Sequence, residues 1–249
     1  MLQQTQAARV EPIFEAFIAR YPDVGALAGA SRADVIRAWA GLGYNRRAVA
    51  LHEASRSVVR DHGGRVPRDR EALRRLPGVG PYTAAAVASI GHGDPVAAVD
   101  TNVRRICARV IHGAEPDEVS ADRLTRDAQA WLDPSAPGAW NQALMDLGRV
   151  HCRPTPRCEV CPLEDPCRFR GAGRTGRPSG RRQSPFEGSA RQVRGSVVDV
   201  LRDRRSASAE ALAEQTGHRA RAITAALQTL VTDGIVERTR SGRARLAGR

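Results

Sequence analysis

Four cysteines lie within a segment of 16 residues in the second half of the sequence. Their spacing is Cys152-x5-Cys158-x2-Cys161-x5-Cys167. Such a cluster favours a metal centre over disulfides in a cytoplasmic protein. Four thiolates suit structural zinc and a 4Fe–4S cluster equally well, so the spacing leaves both open. We expect Arg153 and Arg157, inside this segment, to face outward, where they can meet a phosphate.

The run Leu76-Pro77-Gly78-Val79-Gly80 predicts a tight turn between two helices. Glycines such as Gly78 and Gly80 let successive backbone N–H groups approach a phosphate without side-chain obstruction. The helix predicted next, Thr83–Ile90, adds the positive end of its dipole, with Thr83 at that end. An ordinary interhelical turn would explain a lone Gly-x-Gly, but the whole stretch to Thr83 favours a helix-hairpin-helix that binds DNA phosphate.

A single carboxylate, Asp100, stands 20 residues after Gly80, just ahead of a predicted helix that begins near Val103. Asp before Thr at this place suits a helix N-cap. The spacing also lets Asp100 return to the mouth of the turn, because one helix and a loop separate the two. A carboxylate there can stabilise positive charge that develops on the sugar of an extruded nucleotide.

Basic residues are spread unevenly along the chain. The formal net charge is +12, of which +11 comes from Arg168–Arg249 and +1 from the first 167 residues. The C-terminal third is therefore expected to attract a polyanionic partner most strongly. The chain contains no lysine, which removes every mechanism that needs a lysine Schiff base.

Apolar residues recur at helical spacing through the first two-thirds of the chain, and strand-like alternation is nearly absent, so the fold class is all-α. Residues 171–190 are basic, lack a hydrophobic pattern and predict a flexible linker. Beyond the linker, three helices and a small hairpin follow in the order of a winged helix-turn-helix. A DNA- or protein-binding module is favoured there, and a generic stabilising module is the alternative.

The sequence contains neither a signal peptide nor an apolar run long enough to span a membrane. We therefore expect a soluble, cytoplasmic protein, associated with the nucleoid and monomeric. Its protein partners cannot be predicted from these patterns.

Several segments together carry a family resemblance. They are Met1-Leu2-Gln3-Gln4-Thr5-Gln6, Gly41-Leu42-Gly43-Tyr44, His62-Gly63-Gly64, the hairpin, Val99-Asp100-x-Asn102-Val103 and Asn141-Gln142-Ala143-Leu144-Met145-Asp146-Leu147-Gly148. In this order they resemble the endonuclease III superfamily of helix-hairpin-helix DNA glycosylases, and most closely its adenine glycosylase branch, the MutY family. The resemblance covers residues 1 to about 170.

The resemblance implies an architecture and a substrate. It implies a six-helix barrel with the helix-hairpin-helix over residues 1–100 and a helical lobe with a 4Fe–4S cluster loop over 101–170. The linker of 171–190 and the winged-helix-like module of 191–249 would follow. The implied activity removes adenine mispaired with 8-oxoguanine or guanine from double-stranded DNA, in base excision repair.

The resemblance also implies roles for individual residues. Gln4 would wedge into the duplex, Thr5 would contact 8-oxoguanine, and Tyr44 would intercalate beside that base, filling the gap left by an extruded nucleotide. Asp100 matches the essential aspartate, with Asn102 beside it and Tyr82 at the pocket wall. The cluster ligands would be the four cysteines Cys152, Cys158, Cys161 and Cys167.

Position 82 separates the branches of the superfamily. Endonuclease III-type members carry a catalytic lysine there, which attacks the sugar and cleaves the strand, whereas this chain carries Tyr82. The resemblance therefore implies a monofunctional glycosylase that leaves an abasic site.

The chain departs from the family pattern in three places. The family's general acid, a glutamate, lies two residues before the Met-Leu-Gln-Gln-Thr stretch, and this sequence starts at Met1. As written, the chain should bind its mispair and excise adenine poorly, since general acid catalysis contributes about 10² to 10⁴ in rate. A start codon assigned too far downstream is the favoured explanation over a true truncation.

The second departure is the first cysteine spacing, which is five residues where the family usually has six. The C-terminal module does not resemble the nucleotide-hydrolase-like domain of many relatives.

Three other functions compete with this interpretation. A mismatch thymine or uracil glycosylase of the same superfamily can also carry a tyrosine like Tyr82. A non-catalytic protein that marks lesions would fit a missing general acid. A transcription regulator built on residues 191–249 would leave the hairpin, Asp100 and the cysteines without a purpose.

Overall fold

A computed structural model describes residues 1–3, 5–177 and 185–248 of the chain. Helices account for nearly all of its regular structure, and the described residues contain a single two-stranded sheet, so the all-α prediction is confirmed. The helices are α1 Ala7–Arg20, α2 Val24–Gly29, α3 Arg32–Ala38, α4 Arg46–His62, α5 Arg70–Arg75, α6 Pro81–Ala86, α7 Thr101–His112, α8 Ala121–Ala130, α9 Pro137–Val150, α10 Arg168–Gly171, α11 Ala190–Asp203, α12 Ala209–Thr216 and α13 Ala220–Thr232. The strands are β1 Val236–Arg238 and β2 Ala244–Leu246.

The described residues form two compact units. Unit 1 contains Met1–Val66, Leu76–Gly78 and the described part of Gln183–Arg249. Unit 2 contains Pro67–Arg75 and the described part of Val79–Arg182. This grouping differs from the four consecutive segments predicted from the sequence, whose boundaries stay predictions.

Unit 1 has two hydrophobic clusters. One is aromatic, with Phe17 packed edge-on against Tyr21 and Trp39 at ring-centroid distances of 4.9 and 6.0 Å. The other joins Ala33, Ile36 and Val49 of the N-terminal helices to apolar side chains of α11, α13 and the sheet. The C-terminal module therefore shares a core with α3 and α4 and is not an independent appendage.

The C-terminal module has the element order of a winged helix. Strand β1 pairs antiparallel with β2, with Val236 opposite Leu246, and Ala207 adds a bridge to Ala244 between α11 and α12. Helix α13 has the bounds that the sequence pattern predicts. A short sheet closing three helices agrees with the predicted architecture.

Unit 2 is built around α7, whose residues Val103, Ile106, Cys107 and Ala108 are fully buried. Helices α8 and α9 pack against it, and Trp131 and Trp140 meet edge to face at 5.8 Å. The helix predicted over Thr83–Ile90 divides into α6 and a π-helical turn, Val87–Gly91. Gly138 of α9 lies against this turn, where an added Cβ would be 3.3 Å from the Cα of Ile90.

No helix in the part of the chain that the structure describes combines the length and apolar character needed to cross a bilayer.

Candidate functional site

Asp100 is the N-cap of α7, as one of its two sequence interpretations predicts. One carboxylate oxygen accepts a hydrogen bond from the backbone N–H of Val103 at 2.7 Å. The other accepts from the Nδ2 of Asn102 at 3.0 Å. The side chain is partly exposed, so the carboxylate is held in one orientation and still faces solvent. Capping and chemistry are therefore compatible roles for this residue.

A buried arginine links the Asp100 end of α7 to the cysteine segment. The Nη2 of Arg105 donates to the Oδ1 of Asn102 at 2.8 Å and to the carbonyl of Gly148 at 2.9 Å, and its Nε donates to the carbonyl of Cys152 at 2.6 Å. An added Cβ on Gly148 would be 2.5 Å from the Cβ of Asn102, so the close approach of α9 to α7 requires glycine there. Asn102 is thus fixed from both sides.

Tyr82 lies in the first turn of α6, half-buried, and its hydroxyl donates to the Sδ of Met145 at 3.4 Å. Burial and the negative charge of Asp100 both raise the pKa of this phenol above its usual range. The phenol therefore stays protonated at physiological pH. Of the three predicted catalytic residues, Asp100 and Asn102 are hydrogen-bonded to each other, and Tyr82 is near enough for the charge of Asp100 to raise its pKa.

Asn141 positions the segment that leads into Asp100. Its side-chain oxygen accepts from the backbone N–H of Ala98 at 2.8 Å, and its Nδ2 lies 2.7 Å from the Oγ of Ser89 and 2.9 Å from the carbonyls of Val96 and Pro137. This side chain is 1% exposed. The Asn-Gln-Ala stretch therefore contributes a structural amide that holds the approach to α7.

The hairpin turn has the backbone that its glycines predict. Gly78 has a left-handed φ of +74°, and an added Cβ would lie 2.6 Å from the Cβ of Ala50. Gly80 caps α6 with extended backbone and open space where a side chain would be. Its carbonyl accepts from the N–H of Ala84 at 2.9 Å. Thr83 follows in α6, half-buried.

Arg47 holds the N-terminal segment against the loop that precedes α4. Its guanidinium donates to the carbonyls of Met1 and Gln3, to the Oγ1 of Thr5 at 3.0 Å and to the carbonyl of Leu42 at 3.0 Å. Burial lowers the pKa of Arg47 from its usual range. Thr5 in turn donates to the same Leu42 carbonyl at 3.2 Å.

Tyr44 lies next to this contact, 46% exposed, with the guanidinium of Arg47 5.5 Å from its ring centre. Its φ of +46° makes it the one non-glycine residue with left-handed backbone in the described ranges 1–3, 5–177 and 185–248. Such strain concentrates at functional positions. Thr5 and Tyr44 are thus brought together through Arg47, whereas Gln4 lies outside the described residues.

The four clustered cysteines are free thiols that line one pocket. Burial raises the pKa of Cys152 and of Cys158, and Arg109 opposes this for Cys152. No group of three or more Cys, His, Asp or Glu side chains among the described residues is gathered closely enough to hold a metal ion. The donor set is therefore present around one cavity without the geometry of ligation. Arg153 and Arg157 are exposed, and Arg157 also borders the pocket.

A buried ion pair includes the arginine that hydrogen-bonds to the backbone of the cysteine segment. Arg109 and Glu115, whose side chains are 1% and 2% exposed, meet at 2.9 Å. The Nη1 of Arg109 donates to the carbonyl of Arg153 at 2.6 Å, and its Nη2 donates to that of Pro154 at 2.9 Å. The guanidinium also stacks over Phe169 at 4.8 Å.

Cys107 stands apart from the cluster, fully buried in α7, as predicted for a core cysteine. Burial and the charge of Asp127 raise its pKa to about 12, so this thiol is unreactive.

Three arginines that hold these segments in place were not predicted from the sequence: Arg47, Arg105 and Arg109. Their type and spacing resemble those of the many surface arginines, and only the contacts distinguish them.

The chain is similar to known DNA repair proteins. Residues 1–134 match the family model described as "HhH-GPD superfamily base excision DNA repair protein". The whole chain is 42% identical to an adenine DNA glycosylase of Mycolicibacterium smegmatis and covers 85% of it. It is also 45% identical to an adenine DNA glycosylase of Mycobacterium tuberculosis, again over the whole chain and 83% of the relative. Among solved structures, a thermostable thymine-DNA glycosylase matches 69% of the chain and 80% of its own length, with 31% identity and a TM-score of 0.64.

Proposed function

The chain belongs to the HhH-GPD superfamily of base excision DNA repair proteins, and from this premise we propose that it removes adenine mispaired with 8-oxoguanine or guanine in double-stranded DNA. It is a DNA N-glycosylase of the adenine-specific type, as the likeness of the whole chain to two such enzymes indicates. We assign it a monofunctional reaction, which breaks the N-glycosidic bond and leaves an abasic site. A monomer is proposed as the active form.

The observation that carries the proposal is the fixed carboxylate of Asp100. As the bond to adenine breaks, its electron pair leaves with the base and positive charge develops on the deoxyribose. A preorganised carboxylate held by Val103 and Asn102 stabilises that charge without having to reorient. Water then adds to the sugar and loses a proton, which the departing adenine takes up through solvent, so that the products are neutral adenine and the abasic sugar.

Tyr82 lines the same site as a neutral phenol. Its raised pKa keeps it a hydrogen-bond donor, and it has no amine that could attack the sugar. Because the chain has no lysine elsewhere, water is the proposed nucleophile. The strand would therefore remain intact after excision.

The remaining predicted contacts are proposed to grip the duplex. Gly78, Gly80 and Thr83 would bind phosphate through the hairpin and the start of α6. Thr5 and Tyr44, tied together by Arg47, would contact the base opposite adenine, with Gln4 filling the gap in the stack. Arg153 and Arg157 would add phosphate contacts from the cysteine segment.

The substrate assignment predicts a simple ranking of excision rates. Among duplexes with A:8-oxoG, A:G, T:G and U:G pairs, the two adenine substrates should react and the thymine and uracil substrates should not. Borohydride added during the reaction should trap no protein–DNA adduct. Faster release of thymine or uracil would instead assign the chain to the mismatch thymine or uracil branch, and a trapped adduct with strand cleavage would refute the monofunctional reaction.

We further propose that Cys152, Cys158, Cys161 and Cys167 bind a 4Fe–4S cluster. Their chemistry fits, since four free thiols surround one pocket. Such a cluster would crosslink the segment that Arg105 and Arg109 attach to α7. The chain's own residues hold this segment through its backbone carbonyls, at Cys152, Arg153 and Pro154.

This assignment predicts a spectroscopic difference between two cysteine substitutions. Purified protein should be brown, absorb near 400 nm and contain about four iron atoms. The Cys158→Ser variant should lose most of this absorption, whereas the Cys107→Ala variant should keep it, because Cys107 lies in the core apart from the pocket. Colourless protein that contains one zinc per chain would contradict the cluster assignment and indicate a structural zinc site.

A further inference from the structure

The C-terminal module presents one helix in the position of a recognition helix. In a winged helix the third helix enters the DNA groove and the strand hairpin forms the wing. Helix α13 buries Ile223, Leu227 and Leu230 in the shared core. Its opposite side exposes Arg221, Thr224, Ala225, Gln228 and Thr232.

The hairpin between β1 and β2 supplies a basic wing. Its backbone is closed by a hydrogen bond from the N–H of Thr239 to the carbonyl of Arg243 at 2.8 Å. Arg238 braces it from within, donating to the carbonyl of Gly242 at 2.9 Å. Arg243 anchors it to Ser206 through the Nε at 3.0 Å. Arg240 projects from the tip, exposed.

The segments that form this face contain no acid that balances their own basic charge. Neither His218–Thr232 nor Arg238–Arg249 contains an acidic residue in the sequence. Asp233, which lies between these two segments in the sequence, forms ion pairs with Arg46 and Arg194. Glu237 forms an ion pair with Arg245. In the described part of the chain, Arg219, Arg221 and Arg240 make no ion pair.

We propose that the exposed face of α13 and the wing form a second duplex-binding surface, made of residues that take no part in the proposed excision site. Arg219 and Arg221 would neutralise phosphates beside the groove occupied by α13, and Arg240 would do so from the wing. Arginines placed on phosphates give affinity without reading sequence, so this surface binds duplex DNA whether or not it holds a mispair. The assignment does not depend on the excision chemistry.

Deleting the module would not test this surface cleanly. The module shares its core with Ala33, Ile36 and Val49, so a truncated chain would expose those side chains and lose stability. Substitution of exposed arginines leaves that core in place. The whole chain is therefore the right protein for the experiment.

The test compares two triple variants with the parent protein on a matched, undamaged duplex. The Arg219→Ala/Arg221→Ala/Arg240→Ala variant should bind about 10- to 100-fold more weakly near 0.1 M salt, measured by fluorescence anisotropy. The slope of log K against log salt should become shallower by about 2 to 3, since each lost phosphate contact removes about 0.9. Thermal melting should match the parent, because the three side chains are exposed.

The Arg9→Ala/Arg56→Ala/Arg126→Ala variant removes the same charge from exposed positions outside the module. It should keep a slope close to the parent's and lose far less affinity. Equal losses in the two variants would mean that net charge alone is responsible and would overturn the proposal. An unchanged affinity and slope in the first variant would also overturn it and leave the face free for a partner other than DNA.

Discussion

Replacing Asp100 with asparagine should slow adenine excision by about 100- to 1,000-fold while leaving affinity for the mispaired duplex nearly unchanged. Asparagine keeps the shape of the side chain and is as good an N-cap as aspartate, so the bond to the N–H of Val103 persists. The negative charge beside the sugar is lost, together with the hydrogen bond from the Nδ2 of Asn102, because the amide nitrogen of asparagine cannot accept it. Single-turnover excision and equilibrium binding, measured on the same A:8-oxoG duplex, separate the two quantities.

Two further variants interpret the result. The Asp100→Ala variant removes charge and cap together, so it should also lower stability by about 1 kcal/mol. The Asp122→Asn variant changes an exposed carboxylate in the first turn of α8 and should leave the excision rate as it was. If Asp100→Asn retained more than a tenth of the parent rate, Asp100 would be a helix cap and no more.

Substitution of Arg109 by methionine should destabilise the protein by about 3 to 5 kcal/mol, because it leaves Glu115 charged, buried and without its partner. The melting temperature should fall by about 6 to 20 °C on that basis. The same change removes the donors to the carbonyls of Arg153 and Pro154. Iron content should therefore fall with stability, as measured by differential scanning fluorimetry and iron analysis.

A second arginine at the same pocket provides the matched control. Arg170 also lines it, and its ion pair with Glu164 is solvent-exposed. Exposed pairs contribute about 0 to 1 kcal/mol, so the Arg170→Met variant should melt near the parent. In the Arg109→Met/Glu115→Gln variant the unpaired charge is gone, and much of the lost stability should return. A double variant no more stable than Arg109→Met would show that the loop contacts, and not the buried charge, carry the effect.

The features that could be predicted from sequence are those with a local cause. Glycine at position 78 reflects a left-handed turn, and aspartate at position 100 reflects a helix start, so both elements are visible in a few consecutive residues. Helical periodicity likewise predicts α13 with its observed bounds. The resemblance then adds meaning to residues whose local pattern is ambiguous, such as Tyr82.

The features that could not be predicted depend on contacts between distant segments. Arg47, Arg105 and Arg109 are three among 39 arginines, and nothing in their immediate sequence distinguishes them from arginines on the surface. The packing of the C-terminal module on Ile36 and Val49 could not be predicted for the same reason. An apolar stripe tells which side of a helix is buried but does not identify the partner that covers it.

The shared core of unit 1 has a consequence for how the chain is made. Ile36 and Val49 leave the ribosome early, but the side chains that cover them continue as far as Leu246, about 200 residues later. At typical synthesis rates that interval is roughly 10 to 40 s. Unit 1 cannot complete its core before these later residues are synthesised, and its N-terminal helices must wait for α11, α13 and the wing. The segment with Thr5 and Tyr44 therefore belongs to a unit whose core is completed only after Leu246 has been synthesised.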